Sequence, residues 1–386
     1  MNADLPVPNS LAEITVDVAA ITSNVRQLSA TVGPEVAMMS IVKADGYGHG
    51  MIESARAARA GGAAWLGVAT LGEALELRRH GDSGPVLCWL APPNADFASV
   101  IRAGVDVTAS GIRQLQEIAT AAESINIRAR VQLKVDTGLS RNGCPESDWS
   151  NLFEQAAALQ ASQVIEVTGI WSHLACADQP EHPANDEQES AFERACDLAL
   201  ASGLSGVLRH LANSAAALWR PSSRFDLVRC GISTYGLSPD PDRESSAALG
   251  LTPAMTVSAV VVNAKDLHRN AGISYGHTYT TDQETRVALV PMGYGDGIPR
   301  HASNRAQVLV NQRRAPIRGR VCMDQFVVEA SAARVGDQVI ILGPGDQGEP
   351  TADDWARWSD TINYEIVTRI GGRASRRFKS QPEEES

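Results

Sequence analysis

The chain has 386 residues, 44% of them hydrophobic and 20% charged, with 34 Lys and Arg set against 45 Asp and Glu. That length exceeds a single small core and predicts roughly two domains of a globular protein. A net charge of −11 with no basic stripe argues against a nucleic-acid partner, and no apolar run approaches the ~20 residues of a membrane helix.

Residues Met1–Ser10 have neither the basic nor the apolar region of a signal peptide. The cysteines Cys88, Cys144, Cys176, Cys196, Cys230 and Cys322 form no CxxC pair, which suits reduced thiols in a cytoplasmic protein. The histidines show no metal-ligand spacing, so no metal is expected.

Short apolar runs at 36–42, 64–69, 85–90, 105–108, 130–135, 164–173, 207–212 and 226–230 read as strands buried on both faces. Between them lie segments of helical spacing, such as Met51–Gly61, Leu71–His80, Ile112–Glu123 and Glu187–Gly203. Strand and helix alternating through this stretch predict an α/β fold, an N-terminal TIM-like (β/α)8 barrel over 11–250. Beyond that point the runs Met255–Ala264, Arg286–Pro291, Ala306–Val310 and Val339–Leu342 are β-branched and separated by turn signals. They predict a C-terminal, mostly-β domain over 251–378 with a short helix at Thr351–Asp360. Residues 1–10 and 379–386 read as flexible ends.

In a barrel, the carboxyl ends of the strands face the active site. Lys43 leaves the first strand there, followed by Gly46, Gly48 and Gly50, which permit tight turns. Taken alone, a lysine before a turn reads as a solvated side chain. Four other strand ends carry polar clusters, however. Lys134–Gly138 ends the fifth, Ser172-His173 the sixth, Asn213-Ser214 follows the seventh, and Arg229–Ile232 ends the eighth. Loops after strands seven and eight often bind phosphate in this fold, and here they offer the Ser214 hydroxyl and the amides of Gly231 and Ile232.

The segment Val42-Lys43-Ala44-Asp45-Gly46-Tyr47-Gly48-His49-Gly50 resembles the pyridoxal 5′-phosphate (PLP) attachment signature of the alanine racemases. The resemblance continues through Lys134–Arg141, Ser172-His173, His210–Ala215, Arg229–Ile232, Ile273–Gly276, Pro291–Gly297, Arg320–Gln325 and Thr361–Ile366, in the family's order. It implies that Lys43 holds PLP as an internal aldimine and removes the α-proton of D-alanine from the external aldimine, while Tyr275 takes that of L-alanine on the opposite face. Arg229 would face the pyridine nitrogen; being donor-only, it would leave that nitrogen unprotonated and the ring a weaker electron sink. His173 would link Arg229 to Tyr275. Tyr47, Asn213, Ser214, Gly231, Ile232 and Tyr364 would hold the cofactor. Arg141 and the amide of Met323 would hold the substrate carboxylate, and Lys134, often carbamylated in the family, would brace Arg141. Tyr294 and Asp324 would shape the entrance. In the family Tyr275, Tyr294 and Met323 come from the second subunit, so a head-to-tail homodimer supplying D-alanine for peptidoglycan is implied.

Ser140 departs from the glycine usual before the carboxylate-binding arginine. Three other readings stay open. A serine or broader-specificity racemase is one. A non-catalytic PLP-binding protein would lack the second domain and a counterpart of Tyr275. A decarboxylase would place a carboxylate where Arg229 stands. Four local signals are given no function: the GxGxxG match at Gly343–Gly348, the cluster Asp186-Glu187-Gln188-Glu189 at a helix start, the solvated loop Cys176–Asn185, and the short basic run Arg373–Lys379.

Overall fold

The computed structural model describes residues 11–379; the remaining expected flexible ends, 1–10 and 380–386, lie outside the described residues. The described residues divide into two compact units, one formed by 21–46 and 50–251 and the other by 11–20, Tyr47–His49 and 252–379.

The unit over 21–46 and 50–251 is the expected barrel. Its strands are β2 (Ala37–Ile41), β3 (Trp65–Thr70), β4 (Val86–Leu90), β5 (Asp106–Ala109), β6 (Ala129–Lys134), β7 (Ile165–Trp171), β8 (Leu208–His210) and β9 (Leu227–Cys230). They form one parallel sheet in the order β8-β7-β6-β5-β4-β3-β2-β9. The amides of Asp226 and Arg229 donate to the carbonyls of Arg209 and Ala212 at 3.0 Å, which nearly closes β9 onto β8. Leu66, Val68, Val86, Leu87, Val131, Leu133, Val228 and Cys230 are almost wholly buried, as strands covered on both faces require. The surrounding helices present apolar faces to the sheet. In Ile112–Ile125 the buried residues are Leu115, Ile118, Ala119 and Ala122, the three-and-four spacing of one helical stripe.

The other unit is mostly β. A six-stranded sheet runs β16-β15-β18-β10-β1-β19, where β1 is Ala12–Asp17, β10 Met255–Val260, β15 Gln307–Val310, β16 Arg313–Pro316, β18 Gln338–Leu342 and β19 Ser375–Lys379. Beside it lies a three-stranded sheet of β11 (Asn263–Leu267), β14 (Thr285–Val290) and β17 (Phe326–Glu329). The expected single run Met255–Ala264 is therefore parts of two strands in two sheets.

The expected barrel boundary at residue 11 needs correction. Residues 12–17 pair antiparallel with β10 and parallel with β19, inside the β unit. Their burial alternates, Ala12, Ile14 and Val16 in, Glu13, Thr15 and Asp17 less so. That period of two marks a strand with one buried face, unlike the continuous apolar runs of the barrel. At the other end Lys379, expected in the flexible tail, closes β19.

Candidate active site

At the carboxyl end of β2 the backbone does something the glycines alone do not explain. Ala44, Asp45, Gly46 and Tyr47 all take positive φ, between 52° and 62°, a left-handed turn directly after Lys43. Such a run costs about 1 kcal/mol or more per non-glycine residue and persists only where its surroundings impose it. Within the barrel unit, Glu73 supplies part of that imposition. One carboxylate oxygen accepts from the Ala44 amide at 2.8 Å, the other from Ala69 and Thr70 at 2.9 Å. Asp45 Oδ1 accepts from the Met51 amide at 2.9 Å, tying the turn to the helix Met51–Ala60. Lys43 Nζ lies 5.7 Å from the centre of the Trp89 ring. Burial and the nearby Arg141 lower its pKa from the ordinary lysine range, with Glu73 opposing.

Arg229 is next to last in β9 and is buried. Its NH1 donates to His210 Nδ1 and the His210 carbonyl, both at 3.0 Å. Its NH2 donates to the carbonyls of Ser172 and Leu211 and to His173 Nδ1, at 2.7, 2.9 and 3.1 Å. A guanidinium only donates, so both imidazoles must accept at Nδ1 and carry their protons on Nε2. His210 Nε2–H therefore donates to Gln132 Oε1 at 2.8 Å, and the Gln132 amide faces Asp106 at 3.5 Å. Burial, reinforced by Arg229, keeps both imidazoles well below the usual histidine pKa, consistent with these neutral tautomers. Trp171 stacks parallel on His210, with ring centres 5.7 Å apart. Among the described residues the guanidinium has no carboxylate partner, and burial pushes its pKa down to about 9. Among the described residues its Nε–H finds no acceptor.

Lys134 ends β6 with its Nζ 4.3 Å from the Trp171 ring centre. Burial, with Arg229 and Arg141 adding repulsion, lowers its pKa to about 8. The loop that follows is closed at its neck, where the Asp136 amide donates to the Cys144 carbonyl and the Cys144 amide to the Lys134 carbonyl, both at 2.8 Å. It carries the exposed Arg141. After β8, Asn213 caps the short helix Ser214–Trp219 through Oδ1, accepting from Ala216 at 3.1 Å. Ser214 Oγ accepts from the Gly231 amide at 2.9 Å, and Ile232 beside it is fully buried. Lys43, Lys134, Arg141, His173, Asn213, Ser214, Arg229, Gly231 and Ile232 thus all stand at the carboxyl pole of the barrel.

The other expected site residues belong to the β unit. Tyr47 and Tyr364 approach with ring centres 6.4 Å apart. A Cβ at Gly48 would lie 2.3 Å from the Val367 carbonyl, so glycine is required there for steric as well as conformational reasons. Three further motifs converge on one edge of this unit. Ser274 Oγ donates to the Arg320 carbonyl at 2.7 Å, and the amides of Tyr294 and Gly295 donate to the carbonyls of Cys322 and Met323 at 2.9 and 2.8 Å. Tyr275, Tyr294 and Met323 project from that edge, 70%, 42% and 54% exposed. Arg373, given no role from sequence, ties the edge together. Its guanidinium grips Asp296 through Nε and NH2 at 2.9 and 2.8 Å, and NH1 reaches Asp324 at 2.5 Å.

Sequence reasoning missed Glu73, Gln132, Asp106 and Arg373. Only Glu73 had a readable signal, since Thr70-Leu71-Gly72-Glu73 is a helix capping box. The others act through spacings that only the fold creates. Among the described residues no helix is long and apolar enough to cross a membrane, and no cluster of potential ligands could hold a metal ion.

Comparison with known proteins finds two family models along the chain. Residues 16–239 match the family described as alanine racemase, N-terminal domain, and 254–378 match alanine racemase, C-terminal domain. The alanine racemase of Frankia casuarinae is 52% identical over 97% of this chain and 98% of its own. The crystal structure of alanine racemase from Streptomyces lavendulae superposes with a TM-score of 0.95 at 47% identity, covering 98% of this chain and 99% of that one. An alanine racemase from Bartonella henselae, solved with covalently bound pyridoxal phosphate, aligns at 27% identity and a TM-score of 0.86, over 96% of this chain and 100% of that one. The chain is a racemase that belongs to the alanine racemase family.

Proposed function

We propose that this protein interconverts L- and D-alanine by a two-base mechanism. PLP is held at Lys43, and the enzyme works as a cytoplasmic homodimer supplying D-alanine for peptidoglycan. The observation that carries the reading is Arg229, a buried cation that among the described residues has no carboxylate partner and keeps Nε–H to donate. A donor-only group of this kind suits a ring nitrogen that should accept a hydrogen bond and remain unprotonated.

The donor set fits PLP: the Lys43 amine for its aldehyde, Arg229 for its pyridine nitrogen, and Ser214 with the Gly231 and Ile232 amides for its phosphate. Asn213 shapes that corner, and the family resemblance would add the hydroxyls of Tyr47 and Tyr364. When bound, the cofactor withdraws electron density from the substrate α-carbon and acidifies its proton. The protein then has to move one proton on each face. Lys43, its pKa lowered by burial and by Arg141, has more free base near neutral pH than an ordinary lysine, as a general base needs. Tyr275 serves the opposite face. Its high exposure in a single chain suits a residue contributed to the barrel of a second copy, together with Tyr294, Met323 and Asp324. Arg141 and the Met323 amide receive the substrate carboxylate. Lys134 braces Arg141 as a carbamate, and a pKa near 8 leaves enough neutral amine to react with carbon dioxide.

Solvent exchange tests the two-base assignment. In deuterium oxide, Tyr275→Phe should still exchange the α-proton of D-alanine through Lys43 while exchange from L-alanine collapses. Equal, undiminished exchange from both enantiomers would remove Tyr275 from the mechanism.

A further inference from the structure

The helix Pro183–Ala201 turns a regular apolar face to the barrel through Ala191, Phe192, Ala195 and Ala199. At its N-terminal end that same face carries two polar residues, Asn185 and Gln188, both almost fully buried. Asn185 binds the loop next to it, donating to the carbonyls of Cys176 and Gln179 at 3.0 and 2.8 Å. Gln188 reaches into the site. Its Nε2 donates to the His173 carbonyl at 3.0 Å and to Thr137 Oγ1 at 3.2 Å, and its Oε1 accepts from the Ala175 amide at 2.8 Å.

These bonds fix the direction of the next one. Thr137 Oγ1 accepts from Gln188, so its hydroxyl proton is available to Ser172 Oγ, 2.9 Å away. The carbonyl of Ser172 in turn accepts from Arg229. Gln188 thus joins the loops after β6 and β7. The loop after β6 is otherwise organised mainly from within. Its neck closes on β6, and Asp136 Oδ1 accepts from the amides of Gly138 and Ser140 at 3.0 and 3.1 Å. Thr137 is where this loop is tied to the next barrel loop, four residues before Arg141.

We infer that Gln188 is a positioning residue for substrate binding: through Thr137 it fixes the loop that presents Arg141 to the carboxylate of the amino-acid substrate. The inference rests on the reading of Arg141 as the carboxylate receptor. It predicts a defect of placement. Losing the amide should weaken substrate capture and leave cofactor binding and proton transfer largely intact.

The test compares Gln188→Met, Thr137→Val, Arg141→Ala and the double variant Gln188→Met/Arg141→Ala in the PLP-loaded enzyme. Gln188→Met should raise KM for both alanine enantiomers about tenfold with kcat within about twofold. It should also speed amide hydrogen exchange in 136–143 and leave the visible cofactor spectrum unchanged. Thr137→Val, which removes one arm of the link and keeps the helix intact, should shift KM the same way by a smaller factor, and it carries the test if Gln188→Met fails to fold. In an Arg141→Ala background the Gln188 effect on KM should vanish. If Arg141→Ala leaves KM unchanged, the carboxylate reading falls. If Arg141→Ala raises KM but Gln188→Met and Thr137→Val do not, or if the two effects multiply independently, the positioning role of Gln188 is overturned.

Discussion

Replacing Lys134 by methionine should make the protein more stable near pH 7. The reason is the setting of its ammonium group. Lys134 is 4% exposed, and Arg229, Arg141 and Lys43 all repel its charge while Asp136 offers partial relief. Its pKa falls from 10.5 to about 8 in the folded chain. At about 1.4 kcal/mol per unit, holding that charge in place costs about 3 kcal/mol relative to the unfolded chain. The contact with Trp171 at 4.3 Å returns about 1 kcal/mol. Methionine keeps the length and lies against the same ring but loses the cation's attraction to it, so the net gain expected is about 2 kcal/mol.

The pH dependence follows from the direction of the shift. A base whose folded pKa is depressed costs stability fully below that folded pKa, near 8, and the cost disappears as pH rises toward 10.5. The advantage of Lys134→Met should therefore shrink to under about 1 kcal/mol by pH 10. Urea unfolding of both proteins across that range, in buffer free of carbon dioxide, measures the difference directly. A variant less stable than the parent near pH 7, or an advantage that does not change with pH, would refute this reasoning. On the proposed role of Lys134 in bracing Arg141, the same substitution should lower activity.

Two further outcomes are expected. Labelled bicarbonate should give a carbamate signal on the wild-type protein that is missing from Lys134→Met; near pH 7.4 a pKa of about 8 leaves roughly a fifth of the amine neutral, against about a thousandth for an ordinary lysine. Persistence of the signal in the variant would place the modification elsewhere. Gly48→Ala should cost at least about 3 kcal/mol, since the added Cβ would stand 2.3 Å from the Val367 carbonyl at a φ of +82°, and thermal unfolding within about 1 °C of wild type would contradict that.

Much of this architecture was legible because the barrel strands are buried on both faces, and a short continuous apolar run such as Val86–Leu90, bounded by turn residues, suits a strand covered on both sides. The N-terminal stretch was placed with the barrel, and no strand was expected there, for the complementary reason. Ala12–Asp17 alternates, and alternation identifies one buried face without naming the sheet that covers it. The gathering of Lys43, Lys134, His173 and Arg229 at one pole of the barrel was legible because each sits at a strand end. It was not legible where a side chain works at a distance along the sequence. Gln188 looks like part of an acidic helix start, and its role appears only when Thr137, 51 residues away, is placed beside it. Arg373 reads as part of a basic tail until Asp296, 77 residues earlier, is found in its grip. The left-handed run after Lys43 was also hidden, since it falls on Ala44 and Asp45 as well as on glycine.

The central claim is that Lys43 anchors the cofactor of an enzyme that inverts alanine. Purified protein supplied with PLP and L-alanine should accumulate D-alanine until the two enantiomers are equal, starting from either side, and Lys43→Ala should produce none. Protein that carries PLP yet leaves L-alanine unchanged, or converts it chiefly to pyruvate, would contradict the account.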